Sequence, residues 1–226
     1  MIDPEILYQD ENIVAINKPA GIAVHPDQVN KRETILDWAE ARWSEARLAH
    51  RLDKETSGVL LIAKTEASYE YLKKLFQTHQ IKKTYAALVA GKVKGERGVV
   101  ALPIGHHPTD ARKRIAGDPT ESSKLRGKFR EARTDYSVLE RLGEFTLLEL
   151  RPKTGRTHQI RVHLKALGYP ILGDKLYNPK PTALINRQAL HAARLELVLP
   201  SGQGLKLEAP LPTDFTEALD SLRASC

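Results

Sequence analysis

Cysteine is almost absent from this sequence. The single cysteine of the 226 residues is the last one, Cys226. No intramolecular disulfide can form, and neither can a redox or zinc motif that needs two cysteines. A secreted protein stabilised by disulfides is therefore excluded.

Long hydrophobic runs are also lacking. Although 41% of the residues are hydrophobic, stretches such as Val59–Ala63 stay far short of the roughly 18 residues that indicate a membrane span. The N-terminal MIDPEILYQD is acidic and lacks the apolar centre of a signal peptide. We therefore expect a soluble, cytoplasmic protein without a membrane partner.

Positive charge is what the sequence has in excess. Lys and Arg number 35 against 28 Asp and Glu, which gives a formal net charge of +7. Residues 111–133, called the basic segment below, contain eight basic and three acidic residues together with Gly, Pro and Ser. We predict a mobile loop that contacts RNA phosphates, and a solvated surface excursion is the alternative.

Apolar runs and turn residues predict the strands. ILYQDENIVAINKPAG predicts a hairpin with its turn at residues 10–12, and GVLLIA at residues 58–63 is too short for an independent helix and predicts a buried strand. Further strands are predicted at residues 82–91, 97–105, 132–141, 144–152, 191–200 and 204–210.

Apolar residues at three-and-four spacing predict the helices. These are predicted at residues 34–45, 66–80, 157–167 and 213–223, and Gly168 is expected to stop the third. Strands in clusters with occasional helices favour a mixed α+β fold over regular strand–helix alternation. No repeat or long linker interrupts the chain, so we expect one domain over residues 1–226.

Three short motifs are weak. GVLLIAKT at residues 58–65 is similar to a phosphate-binding loop, but Ala63 replaces the second glycine and the intervening residues are apolar. His158 and His163 would diverge by roughly 140° on a helix, which does not fit a zinc site. HRLD lacks the residue order of a kinase catalytic loop. We expect no metal and no nucleotide triphosphate.

The most informative stretch is AHRLDKETSGVLLIAK at residues 49–64. Arg51-x-Asp53 precedes a small polar turn, Thr56-Ser57-Gly58, and then the predicted buried strand. This order predicts that Asp53 lies at the edge of the hydrophobic core. On this segment alone, a carboxylate that caps a turn is the structural alternative.

The same stretch resembles the HRLDxxTSGxxxxAK signature of the RluA-type pseudouridine synthases at every fixed position. Three other blocks are similar to that family in the expected order, and together they extend over nearly the whole chain. They are EILYQDENIVAINKPAGIAVHP at the start, KKTYAALVAG, and LRPKTGRTHQIRVHLKALGYPILGDKLY, followed by closing strands in LHAARLEL and LEAPLP.

The resemblance implies a pseudouridine synthase fold: a mixed, largely antiparallel sheet flanked by helices, with a central active-site cleft. It implies isomerisation of uridine in RNA without a metal or organic cofactor. Asp53 falls at the family's catalytic aspartate, Tyr85 at its active-site tyrosine and Arg161 at its motif arginine. An always-charged arginine can keep a desolvated carboxylate ionised, and a tyrosine can stack on uracil or move a proton. Attack by Asp53 on the ribose and on the base both stay open.

Other residues are assigned to RNA contact. Arg51 is expected to fill the gap that the turned-out uridine leaves. His50, Arg156 and His158 either approach phosphates or orient the loops. Phosphate contacts of the basic segment are assigned to Arg126, Lys128 and Arg130.

The partner is expected to be ribosomal or transfer RNA, and both stay open. The first family block begins at Glu5, so we expect a stand-alone, monomeric catalytic domain without an N-terminal RNA-binding module. A catalytically silent RNA-binding or ribosome-assembly protein on the same fold is the rival, and a metal-dependent nuclease is a poorer one.

Overall fold

A computed structural model describes residues 2–26, 33–117 and 128–225 of the chain. The contacts between α-carbons divide it into two compact units. Unit 1 comprises Met1–Lys83 and His191–Pro212, and unit 2 comprises Thr84–Leu190 and Thr213–Cys226. The single domain expected over residues 1–226 stays a prediction.

Strands predominate over helices in the described part of the chain. The helices are α1 (Ile35–Glu40), α2 (Glu66–Gln77), α3 (Gln159–Ala166) and α4 (Thr213–Arg223). The strands are β1 (Glu5–Gln9), β2 (Ile13–Lys18), β3 (Ser57–Ala63), β4 (Lys82–Ala90), β5 (Arg97–Val100), β6 (Ile104–His106), β7 (Arg114–Ala116), β8 (Thr134–Leu142), β9 (Phe145–Pro152), β10 (Leu190–Val198) and β11 (Gly204–Glu208). No helix among these is long and apolar enough to cross a membrane.

The sheet of unit 1 has the strand order β1-β2-β3-β10-β11. β3 pairs with β10 in parallel and the other neighbours are antiparallel, so the sheet is mixed. Every residue of β3 is buried, as its apolar run predicts. The predicted β1–β2 hairpin is confirmed, and Asp10 Oδ1 accepts the N–H groups of Asn12 and Ile13 in its turn, both at 2.7 Å.

The first two helices are shorter than predicted. α1 begins after the cap Thr34 but ends at Glu40 instead of residue 45, because Arg47 must be extended to exchange two backbone hydrogen bonds with Ala63, both 2.9 Å. α2 ends at Gln77 instead of Gln80, and His79 beyond it has a left-handed backbone with φ 57°.

The sheet of unit 2 is antiparallel, with the order β4-β9-β8-β5. The single strand predicted over residues 97–105 is wrong. It divides into β5 and β6 around Pro103, which has no N–H for a ladder bond, and β6 pairs with β7 in a separate sheet. The basic segment is therefore not entirely a loop, because β7 lies inside it.

α3 begins two residues later than predicted. His158 has φ 57° and makes no side-chain cap, while buried Gln159 accepts Arg156 N–H at 3.0 Å and Thr154 Oγ1–H at 2.7 Å. The terminal helix α4 has the predicted bounds. Helices and mixed, mostly antiparallel sheets confirm the α+β class.

Candidate active site

Asp53 lies in unit 1, in a loop over residues 48–56. The loop connects Arg47, which pairs with Ala63 near the end of β3, to the start of β3. Leu52 before it is 5% exposed and anchors the loop in the core, while Asp53 is half-buried. The Thr56 N–H donates to the Asp53 carbonyl at 3.0 Å. The backbone at Asp53 thus turns directly into the buried strand, as the small polar residues predict.

The fully buried side chain of Lys18 ties this loop to the NKPAG segment. Its ammonium donates to three carbonyls, those of Pro19 at 2.8 Å, Ile22 at 2.9 Å and Lys54 at 3.1 Å. Gly21 N–H donates to the Lys54 carbonyl as well, at 3.0 Å. A buried ammonium must have such acceptors, so Lys18 fixes the backbone of the residue that follows Asp53.

A buried hydroxyl at the start of β3 contacts a buried imidazole on β10. Ser57 Oγ and His191 Nδ1 are 2.9 Å apart, and His191 Nε2 lies 3.1 Å from the Ala209 carbonyl. Because a carbonyl can only accept, Nε2 carries a proton, and in the neutral ring Nδ1 then accepts from Ser57. The adjacent Gly58 has φ 111°, and a Cβ there would collide with the Ala192 carbonyl.

The structure favours loop orientation over phosphate contact for His50. Its Nε2 accepts the Leu61 N–H at 2.8 Å, and its ring stacks on Phe76 with centroids 4.4 Å apart. Burial, followed by the nearby charge of Lys83, lowers the pKa of His50 to about 3, so the ring is neutral at pH 7. Burial likewise lowers the pKa of Lys83 to about 8.

Arg51 is exposed, as a residue that contacts RNA requires. The charge of Arg51 also acts on His25: burial, followed by this charge, lowers the pKa of His25. His50, Arg51 and Asp53 all lie on one loop of unit 1.

Tyr85 and Arg161 belong to unit 2. Tyr85 is half-buried on β4 and pairs in register with Leu150 of β9. Arg161, on α3, forms a buried fork with Asp174: Nε donates to Oδ2 at 2.7 Å and Nη2 to Oδ1 at 2.9 Å. The family resemblance implies that Arg161 keeps the nucleophile ionised, whereas the fork described here is made with Asp174, so the role of Arg161 toward Asp53 stays a prediction.

Asp174 and Tyr177 hold the surroundings of Arg161 in place. Asp174 Oδ1 also accepts the N–H groups of Leu176 and Tyr177, at 3.0 and 3.1 Å. The Tyr177 ring lies 5.0 Å from the Arg161 guanidinium carbon, and its hydroxyl lies 2.9 Å from His158 Nδ1. His158 is thereby tied to the protein framework in this structure.

The remaining predicted RNA contacts also lie in unit 2. Arg156 Nε donates to the Glu131 carbonyl at 3.1 Å, so it is linked to the basic segment. Lys128 and Arg130 are exposed, and Arg130 pairs with Ile104 of β6 through two backbone hydrogen bonds. Arg126 lies outside the described residues.

Sequence reasoning assigned no role to four residues that shape these loops: Lys18, Asp174, Tyr177 and His191. Each lies in a block that resembles the family, so the sequence marks its position. The supporting role of its side chain follows only from the contacts in the structure. Among the described residues, no group of three His, Cys, Asp or Glu side chains could hold a metal ion.

Comparison with known proteins gives consistent matches. A family model described as RNA pseudouridylate synthase matches residues 12–166. The chain is 36% identical to RNA pseudouridine synthase YlyB of Bacillus subtilis (strain 168), over 98% of this chain and 74% of the relative. It is 42% identical to ribosomal large subunit pseudouridine synthase D of Nitrosomonas europaea, over 97% of this chain and 65% of the relative. The solved structure of human RNA pseudouridylate synthase domain containing 4 matches with TM-score 0.78 and 31% identity, over 97% of this chain and 93% of that one.

Proposed function

The chain belongs to the RNA pseudouridylate synthase family, and we propose that it isomerises uridine in RNA to pseudouridine with Asp53 as the nucleophile. The reaction breaks the bond between ribose C1′ and base N1 and forms one between C1′ and C5. A proton leaves C5 and another is gained at N1, so the composition does not change. No redox partner is needed.

The observation that carries this proposal is the construction of the Asp53 loop. The carboxylate is half-buried between an anchored leucine and a buried strand, and the next carbonyl accepts from Lys18 and Gly21. A nucleophile must be held still for attack, because misplacement forfeits the advantage of proximity. The bracing of the Lys54 carbonyl by Lys18 and Gly21 supplies such support to the backbone beside Asp53.

The assignment of roles follows the chemistry of each side chain. Asp53 attacks, Arg161 supplies a permanent positive charge that favours the ionised carboxylate, and Tyr85 offers a flat face to the uracil and a hydroxyl for proton transfer. Arg51 takes the space that the turned-out uridine leaves in the RNA.

We further propose large-subunit ribosomal RNA as the first substrate to examine, with transfer RNA as the alternative. The name of the Nitrosomonas europaea relative supports this choice. Pseudouridine would be mapped in total RNA from cells with and without the gene. Loss of sites from ribosomal RNA is expected, whereas loss from transfer RNA alone would contradict this choice. The enzyme is proposed to act as a cytoplasmic monomer.

Asp53→Asn tests the catalytic proposal. The amide keeps the shape of the side chain but cannot act as a carboxylate nucleophile, so tritium release from RNA labelled at uridine C5 should stop while RNA binding survives. Asp3→Asn is the matched control, because Asp3 has 88% of its side chain exposed. Release by Asp53→Asn above a few per cent of the unaltered protein would remove Asp53 from this role.

The same assay separates the rival, a catalytically silent RNA-binding protein. Such a protein would bind RNA without releasing tritium in any variant. Tritium release that persists in the presence of a chelator would exclude a metal-dependent nuclease.

A further inference from the structure

Unit 2 contains a cavity that has no assigned function, although Tyr177, which contacts Arg161 and His158, is part of its lining. It has a volume of about 210 Å³ and lies between the β6–β7 hairpin and the C-terminal half of α3. This is below the roughly 300–1,000 Å³ of pockets for drug-sized ligands, so the cavity can take the base of one nucleotide but not the whole nucleotide. Its lining combines basic His107, Lys113, Arg114 and Lys165 with apolar side chains such as Val162 and Ala166.

The cations around this cavity are poorly neutralised within the described residues. Arg114 Nη1 donates to the carbonyls of Ala111 and Lys113, and neither Arg114 nor Lys165 has a carboxylate within ion-pair distance there. Lys113 lies 3.7 Å from Asp110, but Asp110 is already engaged at 3.0 Å by Arg112. Among the described residues, the lining of the cavity therefore has a surplus of positive charge.

His107 adds a hydrogen-bond donor of fixed identity. Its Nδ1 accepts the N–H groups of Thr109 and Asp110, at 3.3 and 3.2 Å. In the neutral ring the proton must then lie on Nε2, which can donate to an anion. A positive rim, a ring N–H donor and an apolar wall together fit a phosphate joined to a flat base.

We propose that this cavity binds one nucleotide of the RNA strand, with its phosphate at Lys113 and Lys165 and its base against the apolar wall. The proposal rests on the proposed function, because that function makes RNA the substrate. It also gives the described part of the basic segment a defined contact, since β7 forms one wall of the cavity.

Three variants test it by direct titration with single-stranded RNA at several salt concentrations. Lys165→Ala should weaken binding and reduce the slope of log K against log salt by roughly 0.7, the value for one phosphate contact on a single strand. Ala166→Leu should weaken binding several-fold with an unchanged slope, because it fills the cavity without altering charge. Lys94→Ala, an exposed lysine outside the cavity, is the charge-matched control and should match the unaltered protein more closely than Lys165→Ala.

Each outcome has a defined meaning. RNA binding by Ala166→Leu equal to that of the unaltered protein would overturn the nucleotide assignment. Equal losses in Lys165→Ala and Lys94→Ala would also overturn it, because they would indicate only general attraction. Uridine 5′-monophosphate that raises the melting temperature of the unaltered protein but not that of Ala166→Leu would assign the cavity to a free nucleotide instead. Tritium release by the unaltered protein tests the proposed function separately, so the two can fail independently.

Discussion

At the scale of single residues, the fork between Arg161 and Asp174 shows how a charged side chain can be buried. Arg161 and Asp174 have 8% and 0% of their side chains exposed, and the carboxylate also accepts two backbone N–H groups. Removing one member of such a pair leaves the other charge unsatisfied, which costs more than the pair itself contributes. Arg161 is therefore a structural residue as well as a proposed catalytic one.

Arg161→Lys should lose both activity and stability. A lysine keeps the charge but cannot form two parallel bonds to Asp174, so the single-turnover rate should fall severely and the free energy of unfolding by roughly 1–3 kcal/mol. Both would be measured on the same preparation. Arg223→Lys is the matched control, because Arg223 forms a similar fork with Glu140 at the surface, with 48% of its side chain exposed. A near-normal rate for Arg161→Lys would show that charge alone suffices.

His50 should make stability depend on pH. The unfolded imidazole takes up a proton near pH 6.5, whereas in the folded protein burial lowers this pKa to about 3. The unfolded state thus binds more protons between these values, and the free energy of unfolding must fall as the pH drops through this window. His50→Gln should reduce that dependence, and His106→Gln, at an exposed position, should not.

Urea unfolding at pH 7, 5.5 and 4 would measure this effect. A loss of stability between pH 7 and 4 that is the same in His50→Gln as in the unaltered protein would contradict a neutral, buried His50.

At the scale of elements, the sequence predicts most helices and strands but not where each one ends. β3 and α4 follow local patterns, so their positions were predictable. The end of α1 depends on the distant pairing of Arg47 with Ala63, and the start of α3 depends on the left-handed backbone of His158. The first of these ends is set by a contact between residues distant in sequence and the second by one left-handed residue, and the spacing of apolar residues predicts neither.

The sequence likewise predicts only part of the candidate site. The position of Asp53 in a turn before a buried strand follows from small polar residues and an apolar run. The contacts of Lys18 and Asp174 do not follow from such local patterns. Lys18 donates to the carbonyl of Lys54 and Asp174 accepts from Arg161, and in each case the two residues are far apart in sequence. Charge and motif locate the chemistry, and packing decides which side chains support it.

Gly58→Ala should disturb the junction between the Asp53 loop and β3. Alanine there must adopt φ near 111° and place its Cβ against the Ala192 carbonyl, so the loss of stability should be roughly 3 kcal/mol or more. Gly202→Ala is the control, because Gly202 has φ 85° but no atom within 4 Å of the added Cβ. Its loss should stay near the backbone strain alone, about 1–2 kcal/mol. Equal losses in chemical denaturation would show that the close approach to Ala192 costs nothing.

At the scale of the whole molecule, the net charge of +7 favours binding to a polyanion such as RNA. Lysines and arginines that contact phosphates release counterions, so their contribution appears in the salt dependence of binding rather than in base preference. The basic segment concentrates this charge, and its Phe129 is the single aromatic side chain over residues 111–133. Its contribution should therefore be to affinity.

Changing Arg126, Lys128 and Arg130 together to Ala tests this view of the basic segment. Affinity should fall, and the slope of log K against log salt should decrease by roughly 0.7 to 0.9 for each phosphate that is no longer neutralised, while the single-turnover rate at saturating RNA should change little. The control variant changes Lys92, Lys94 and Arg97 to Ala, which removes the same charge from three exposed positions outside the basic segment. If both triple variants shift the slope equally, general attraction explains the binding and the segment makes no specific phosphate contacts. A collapsed rate at saturating RNA would instead mean that the segment shapes the active site, because affinity no longer limits the reaction under those conditions.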